Sequence, residues 1–314
     1  MANEILYSGL SDQRVATVLS DTYSLLLADR EAGALSHPAI QYAGAGAARR
    51  GSTVVQIPQI GLIGYDLLTA ASTEGSSEAN VALTDGNDQV TVARYGKIYE
   101  ASDLARLTDP STGILDVAAM AMDLVASTGQ TLIDLIAALA SGFSGTVGST
   151  GYDLSYTNFT DAITTLEINK VTGQLMSILH PRQFGDLRTA SLSLGGAVQH
   201  MPDPQGLVRY AGSLYKGRIF GVDVFTSSHV DTANAGADRA GMMIAPGAVW
   251  WGDAEIPAPP GAALWVPLMV EGKVRAALEA SRSARSALSA WHQHAYLGVT
   301  EGLDAAGVGI ITDA

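Results

Sequence analysis

Residues 216–230 read KGRIFGVDVFTSSHV and follow Gly-Ser-Leu-Tyr at 212–215. A glycine-bounded turn leads into Arg218-Ile219-Phe220, then Gly221, then Val222-Asp223-Val224-Phe225. β-Branched and aromatic residues favour a pleated backbone, and the glycines permit a sharp reversal between short strands. The stretch therefore reads as a β-hairpin. It carries no catalytic pattern, so its meaning depends on what surrounds it.

The whole chain has 314 residues and no cysteine, which excludes disulfides and thiolate metal sites. Its length suits one large domain or two to three small ones. Apolar residues make up 47% and aromatics only 6%, with 34 glycines. That composition supplies a core and does not resemble a disordered chain. Net charge is −13, the opposite of the basic surface that sequence-independent nucleic-acid binding requires. The acidity is uneven. Between Arg106 and Lys170 there is no Lys or Arg, whereas Asp109, Asp116, Asp123, Asp134, Asp153, Asp161 and Glu167 all fall there. The start, Met-Ala-Asn-Glu-Ile, has neither a basic nor a long apolar segment of a signal peptide. The longest apolar run, 114–140, is interrupted by Asp116, Asp123, Gly129, Gln130 and Asp134, so it reads as an amphipathic helix and not a membrane span. Synthesis and use in a cytoplasm, or in something assembled there, is the expectation.

Upstream, 14–28 places Val15, Val18, Leu19, Leu25, Leu26 and Leu27 at helical spacing, and AGAGAARRG (43–51) is small and linker-like. STVVQIP (52–58) and QVTVARYGK (89–97) read as two strands separated by a long polar excursion, 61–87. Such an arm projects from a body and needs a partner subunit to cover its apolar positions. The helix over 114–140 carries Leu115, Ala118, Ala119, Met122, Val125, Leu132, Leu135, Ile136 and Leu139 as its apolar stripe, with Gly129 weakening its middle. Asn158 is expected to cap a helix over 159–169. A strand at 174–179 leads through His180-Pro181 into a helix over 182–190. Met242-Met243-Ile244 reads as a buried strand and GAVWWG (247–252) as an aromatic turn or short helix. The 274–297 segment is strand-like at its end, although its alanines also suit a helix. GVGIIT (307–312) is a terminal strand.

Catalytic signatures do not form. Ser141-Gly142-Phe143-Ser144-Gly145 has the wrong spacing for a nucleophile elbow. No phosphate loop exists, and Gly44-x-Gly46 meets Arg49 where a third glycine belongs. His292 and His294 share one side of a strand, but no third ligand stands nearby in sequence, so two polar positions on an exposed strand face explain them better than a metal site. Trp250-Trp251 reads as a core anchor, His180 as a helix cap, and Asp116, Asp123 and Asp134 as a solvated stripe.

The order of segments resembles the major capsid proteins of tailed bacteriophages, the HK97-like fold. The pieces that carry the resemblance are QLMSILHPRQFGDLRTA (174–190), GSLYKGRIFGVDVFTSSHV (212–230), AGMMIAPGAVWWGDAEI (240–256) and AYLGVTEGLDAAGVGIITDA (295–314). The resemblance implies an α+β chain. It has an N-terminal arm (1–50), an extended E-loop with its strands (51–104), a peripheral domain (105–150 and 265–298) with a spine helix (114–140), and an axial domain (151–264 and 299–314). It also implies a structural role without catalysis, cofactor or metal: pentamers and hexamers of the chain itself forming an icosahedral shell around double-stranded DNA, assembled in the host cytoplasm and located in the virion. The further partners implied are a portal, a separate scaffolding protein and a decoration protein, with no membrane. Too few residues precede the E-loop for a cleavable scaffolding segment, and Lys97 lies at the base of the returning strand and not at the loop's tip, so no covalent cross-link is expected. Inter-subunit contacts are expected at Tyr65, Asp66, Leu67, Glu74, Glu78 and Asp85, and lumen-facing acids at Asp116, Asp123 and Asp134. Two alternatives stay open: an encapsulin-type compartment shell of the same fold, and an α/β hydrolase-like enzyme built around His180, His292 or His294.

Overall fold

The computed structural model describes residues 32–35, 37–43, 53–60, 85–102, 117–171, 173–193, 215–254, 264–270, 273–283 and 288–313. Two sheets organise them. The first is built around β14 (Leu288–Glu301), a 14-residue strand. One edge of β14 pairs with β4 (Ala93–Ser102), and β11 (Val249–Asp253) lies on the opposite edge, because Leu297 registers with both Ala93 and Asp253. The β11 edge is continued end to end by β13 (Lys273–Ser283), which pairs in turn with β12 (Leu264–Val270). A one-turn helix, α1 (Ala32–Leu35), precedes the short β1 (Ile40–Tyr42), which adds in parallel to β11. The 274–297 region is thus strand throughout its described residues, and alanine's helical preference is overridden by antiparallel pairing along its length. GAVWWG likewise enters β11 and does not form an aromatic turn or short helix.

The second sheet runs β5 (Thr146–Val147), β15 (Gly307–Asp313), β10 (Asp238–Ile244), β6 (Met176–Leu179), β8 (Val222–Thr226), β7 (Tyr215–Ile219). The small β9 (Thr232–Ala233) is paired to β10. Its central strands are buried along their length, which is why MSIL and MMI read as unbroken apolar runs. Helices α3 (Tyr156–Ile168) and α4 (Pro181–Ser193) supply Phe159, Leu166, Phe184 and Leu187 to a core with Ile219, Val224, Met243 and Ile310.

The N-cap of α3 is Ser155, whose Oγ accepts from the Asn158 backbone N–H at 3.1 Å. Asn158 is therefore the capped residue and not the cap, and the helix starts earlier than expected; a serine three positions upstream satisfies the free amide first. At the start of α4, Gln183 Oε1 accepts from the His180 N–H, and His180 Nδ1 accepts from Arg182 N–H. His180 is a cap, as its place before Pro181 suggests.

The long helix, α2 (Val117–Ala138), runs unbroken through Gly129 and is about 33 Å long. Among its described side chains Leu124, Leu132, Ile133, Ile136 and Ala137 are buried, so Leu124, Ile133 and Ala137 join the expected stripe. It packs on β14 and also reaches β10, and one apolar cluster contains Ile136, Met242, Ile244, Val249 and Leu297. The two sheets share a core through this helix.

Strands β2 (Val54–Ile60) and β3 (Asp85–Thr91) form a separate antiparallel ribbon, Val54 opposite Thr91 through Ile60 opposite Asp85.

Candidate functional site

The ribbon β2–β3 has a root set into the body. Val55, Ile57, Val90 and Val92 are buried and pack with Ala43, Trp250, Ala254 and Tyr296. The close approach requires glycine at 298: a Cβ there would stand 2.3 Å from the Thr91 carbonyl oxygen. The expectation that the arm needs a partner subunit for its apolar positions is corrected at this root, where its own sheet covers them. Of the expected contact residues, Tyr65, Asp66, Leu67, Glu74 and Glu78 lie outside the described residues, and Asp85 opens β3.

A buried polar cluster lies at the other sheet. Asp223, at 1% exposure, sits in the middle of β8, where every other side chain is also buried. Arg218 stands directly across the β7–β8 pairing and donates twice, Nε to Oδ1 at 3.0 Å and an Nη to Oδ2 at 3.1 Å. Tyr215 Oη donates to Oδ1 at 3.0 Å. The fourth member arrives from the N-terminal segment: His37 Nε2 lies 3.2 Å from Oδ2, while its Nδ1 accepts from the Ala39 N–H. That acceptance places the imidazole proton on Nε2, aimed at the carboxylate. Burial pushes the Asp223 carboxyl up, but the bonds from His37, Arg218 and Tyr215 outweigh it and hold it down at about 2. Three residues after His37, β1 begins its pairing with β11, and Tyr42 stacks on Trp251 at 4.3 Å while donating to Asp253. Residues 37–42 therefore strap one sheet to the other.

The expected acidic stripe divides. Asp116 lies outside the described residues. Asp123 accepts from Tyr99 Oη at 2.8 Å and has Lys97 at 3.6 Å, and the bond to Asp123 raises the Tyr99 phenol. Asp134 is exposed, with His229 Nδ1 at 3.6 Å. Asp123 is thus anchored to β4 and is not a free member of a solvated stripe. His294 is buried on β14, contrary to an exposed strand face, because α2 covers that face of the sheet. A cleft of about 180 Å³ between α2 and this sheet is lined by Lys97, Ser127, Thr131 and His294 among others, with no carboxylate. Among the described residues no three His, Asp or Glu side chains gather as a metal site, and no helix is long and apolar enough to cross a membrane.

The tip of the β7–β8 hairpin completes the picture. Phe220 and Gly221 form a two-residue loop with φ of 50° and 86°. Phe220 is 50% exposed, and its ring stands nearly perpendicular to that of Tyr156 with centroids 5.9 Å apart.

Two sheets joined through one long helix, with a ribbon standing off the first, match solved shell proteins over most of their length. The capsid of Ralstonia phage GP4 aligns with TM-score 0.59 at 14% identity, covering 89% of this chain and 88% of that one. This is the HK97-like capsid fold. The capsid of cyanophage P-SCSP1u aligns with TM-score 0.57 at 10% identity, covering 87% and 86%. The SrpI encapsulin of Synechococcus elongatus aligns with TM-score 0.56 at 11% identity, covering 87% and 84%. No family model and no curated protein matches the chain. The Asp223 cluster is the feature that reading residues in sequence did not assemble. Half of it was within reach: a two-residue turn at 220–221 places 218 opposite 223, so an Arg–Asp pair follows from the hairpin alone.

Proposed function

We propose that the chain is the major capsid protein of a tailed bacteriophage, assembling as pentamers and hexamers into a closed icosahedral shell around double-stranded DNA. The observation that carries this reading is the overlap in fold with phage capsids over 87% and 89% of the chain. Net charge supports it: at −13, a shell wall does not bind its polyanionic content through released counterions. On this reading 1–50 is an N-terminal arm, 51–104 the E-loop, 105–150 with 265–298 the peripheral domain and 151–264 with 299–314 the axial domain. The E-loop residues Tyr65, Asp66, Leu67, Glu74, Glu78 and Asp85 lie over a neighbouring subunit, and Asp116, Asp123 and Asp134 face the lumen. A scaffolding protein, a portal and a decoration protein are the further partners. The role is structural and not catalytic, with assembly in the host cytoplasm.

A second reading is favoured by one observation, the near-equal overlap with the SrpI encapsulin: a compartment shell of the same fold around a protein cargo. Negative-stain electron microscopy of the protein expressed alone, with nucleic-acid content measured on particles from the native source, tests both. Closed shells or capsomer rings, together with DNA-filled native particles, fit the phage capsid. Small shells holding protein fit the compartment. A monomer at every concentration and with added scaffold overturns both.

A further inference from the structure

We propose that Phe220, at the tip of the β7–β8 hairpin, is an inter-subunit contact that seats against a second copy of this chain; the inference rests on the shell reading above. Two properties of this residue are unexplained by the fold of a single chain. The loop has positive φ at both central positions, 50° and 86°, a form that Asn-Gly or Asp-Gly adopts readily and that a bulky aromatic at the first position resists. The side chain is also half exposed, and the ring partner it has among the described residues is Tyr156, nearly at right angles to it. Neither turn chemistry nor core burial selects phenylalanine here, and a residue kept in an unfavourable conformation at an exposed tip points to a role outside the chain.

Area and charge identify the occupant. Two aromatic side chains bury roughly 150–250 Å² each, well short of the ~1,000 Å² that holds a stable two-body complex. A patch of that size suits a contact repeated around a closed ring, where each copy gives and receives it. Copies that each carry −13 repel at long range, and they approach most easily where the surface is uncharged or basic. The tip is uncharged, and Lys216 is exposed on the strand that leads to it.

The test uses the full chain with Phe220→Asn and Phe220→Asp, both of which suit the loop. Thermal melts are read beside the concentration at which rings or shells form. The expected result is a melting temperature equal to or above that of the parent. Assembly should be shifted to at least about tenfold higher concentration, as for loss of an aromatic hot spot, with Asp worse than Asn. Unchanged assembly overturns the proposal and leaves Phe220 to a separate protein or to none. A lowered melting temperature in both variants also overturns it, because phenylalanine then serves the fold. A parent chain that never assembles fails the shell reading itself and takes this inference with it, an outcome distinct from the two where the parent assembles.

Discussion

Asp223 is a carboxylate in a strand with no exposed position, held by three donors from two other segments. Removing it deprives the imidazole N–H, the phenol and the guanidinium of this acceptor, two of them in the interior. Asp223→Ala is expected to cost ~3 kcal/mol of stability, read from urea melts. The pH dependence has a definite sign. The carboxyl titrates at about 2 in the folded chain against 3.8 otherwise, so its stabilisation is complete above 3.8 and fades as pH falls through that interval toward 2. Asp223→Asn should lose this part of the acid dependence, giving a flatter stability curve between pH 4 and pH 2 than the parent. Parallel curves would mean that the cluster does not couple to folding. Arg218 is legible from the sequence as the cross-strand partner; His37, 186 positions away, is not, because nothing local relates the two.

At the scale of elements, the ribbon root depends on backbone contact. Gly298 lies beneath Thr91, and a methyl group there meets a carbonyl oxygen that cannot rotate away. Gly298→Ala is expected to cost about 2 kcal/mol and to raise hydrogen exchange in β2 and β3 more than in the second sheet. Uniform exchange across both sheets would show that the ribbon is not seated as a separate unit. The elements themselves were mostly readable. The hairpin at 216–230, the long helix, the strand at 174–179 and the terminal strand all follow from periodicity and turn residues. The exceptions have one cause. GAVWWG and the alanine-rich 274–297 have weak local preference, and their conformation is decided by long-range pairing with β14 and its neighbours.

For the whole molecule, the shell reading makes electrostatics a barrier to assembly. Each copy carries −13, spread over a surface that must meet other copies. Raising ionic strength from ~0.01 to ~0.15 M shortens the screening length from about 30 to about 8 Å. The concentration at which rings or shells form, measured by light scattering, should therefore fall with added salt. Assembly that weakens with salt would mean that attractive ion pairs between copies dominate and that the net charge is not what opposes contact.

Sequence by itself determined most of the element types, because they are written in local patterns, period-2 and period-3.6 apolar spacing, glycine at reversals and proline at a helix start, and the order of those segments carried the resemblance that implied the fold class. It also determined the acid balance, a sum that folding does not change. The tertiary structure alone decided which segments meet. That α2 joins two sheets in one core, that β14 divides one edge between β13 and β11, and that His37 reaches Asp223 are long-range contacts. Each depends on the three-dimensional path of segments far apart in the chain, and no residue's neighbours in sequence carry that information.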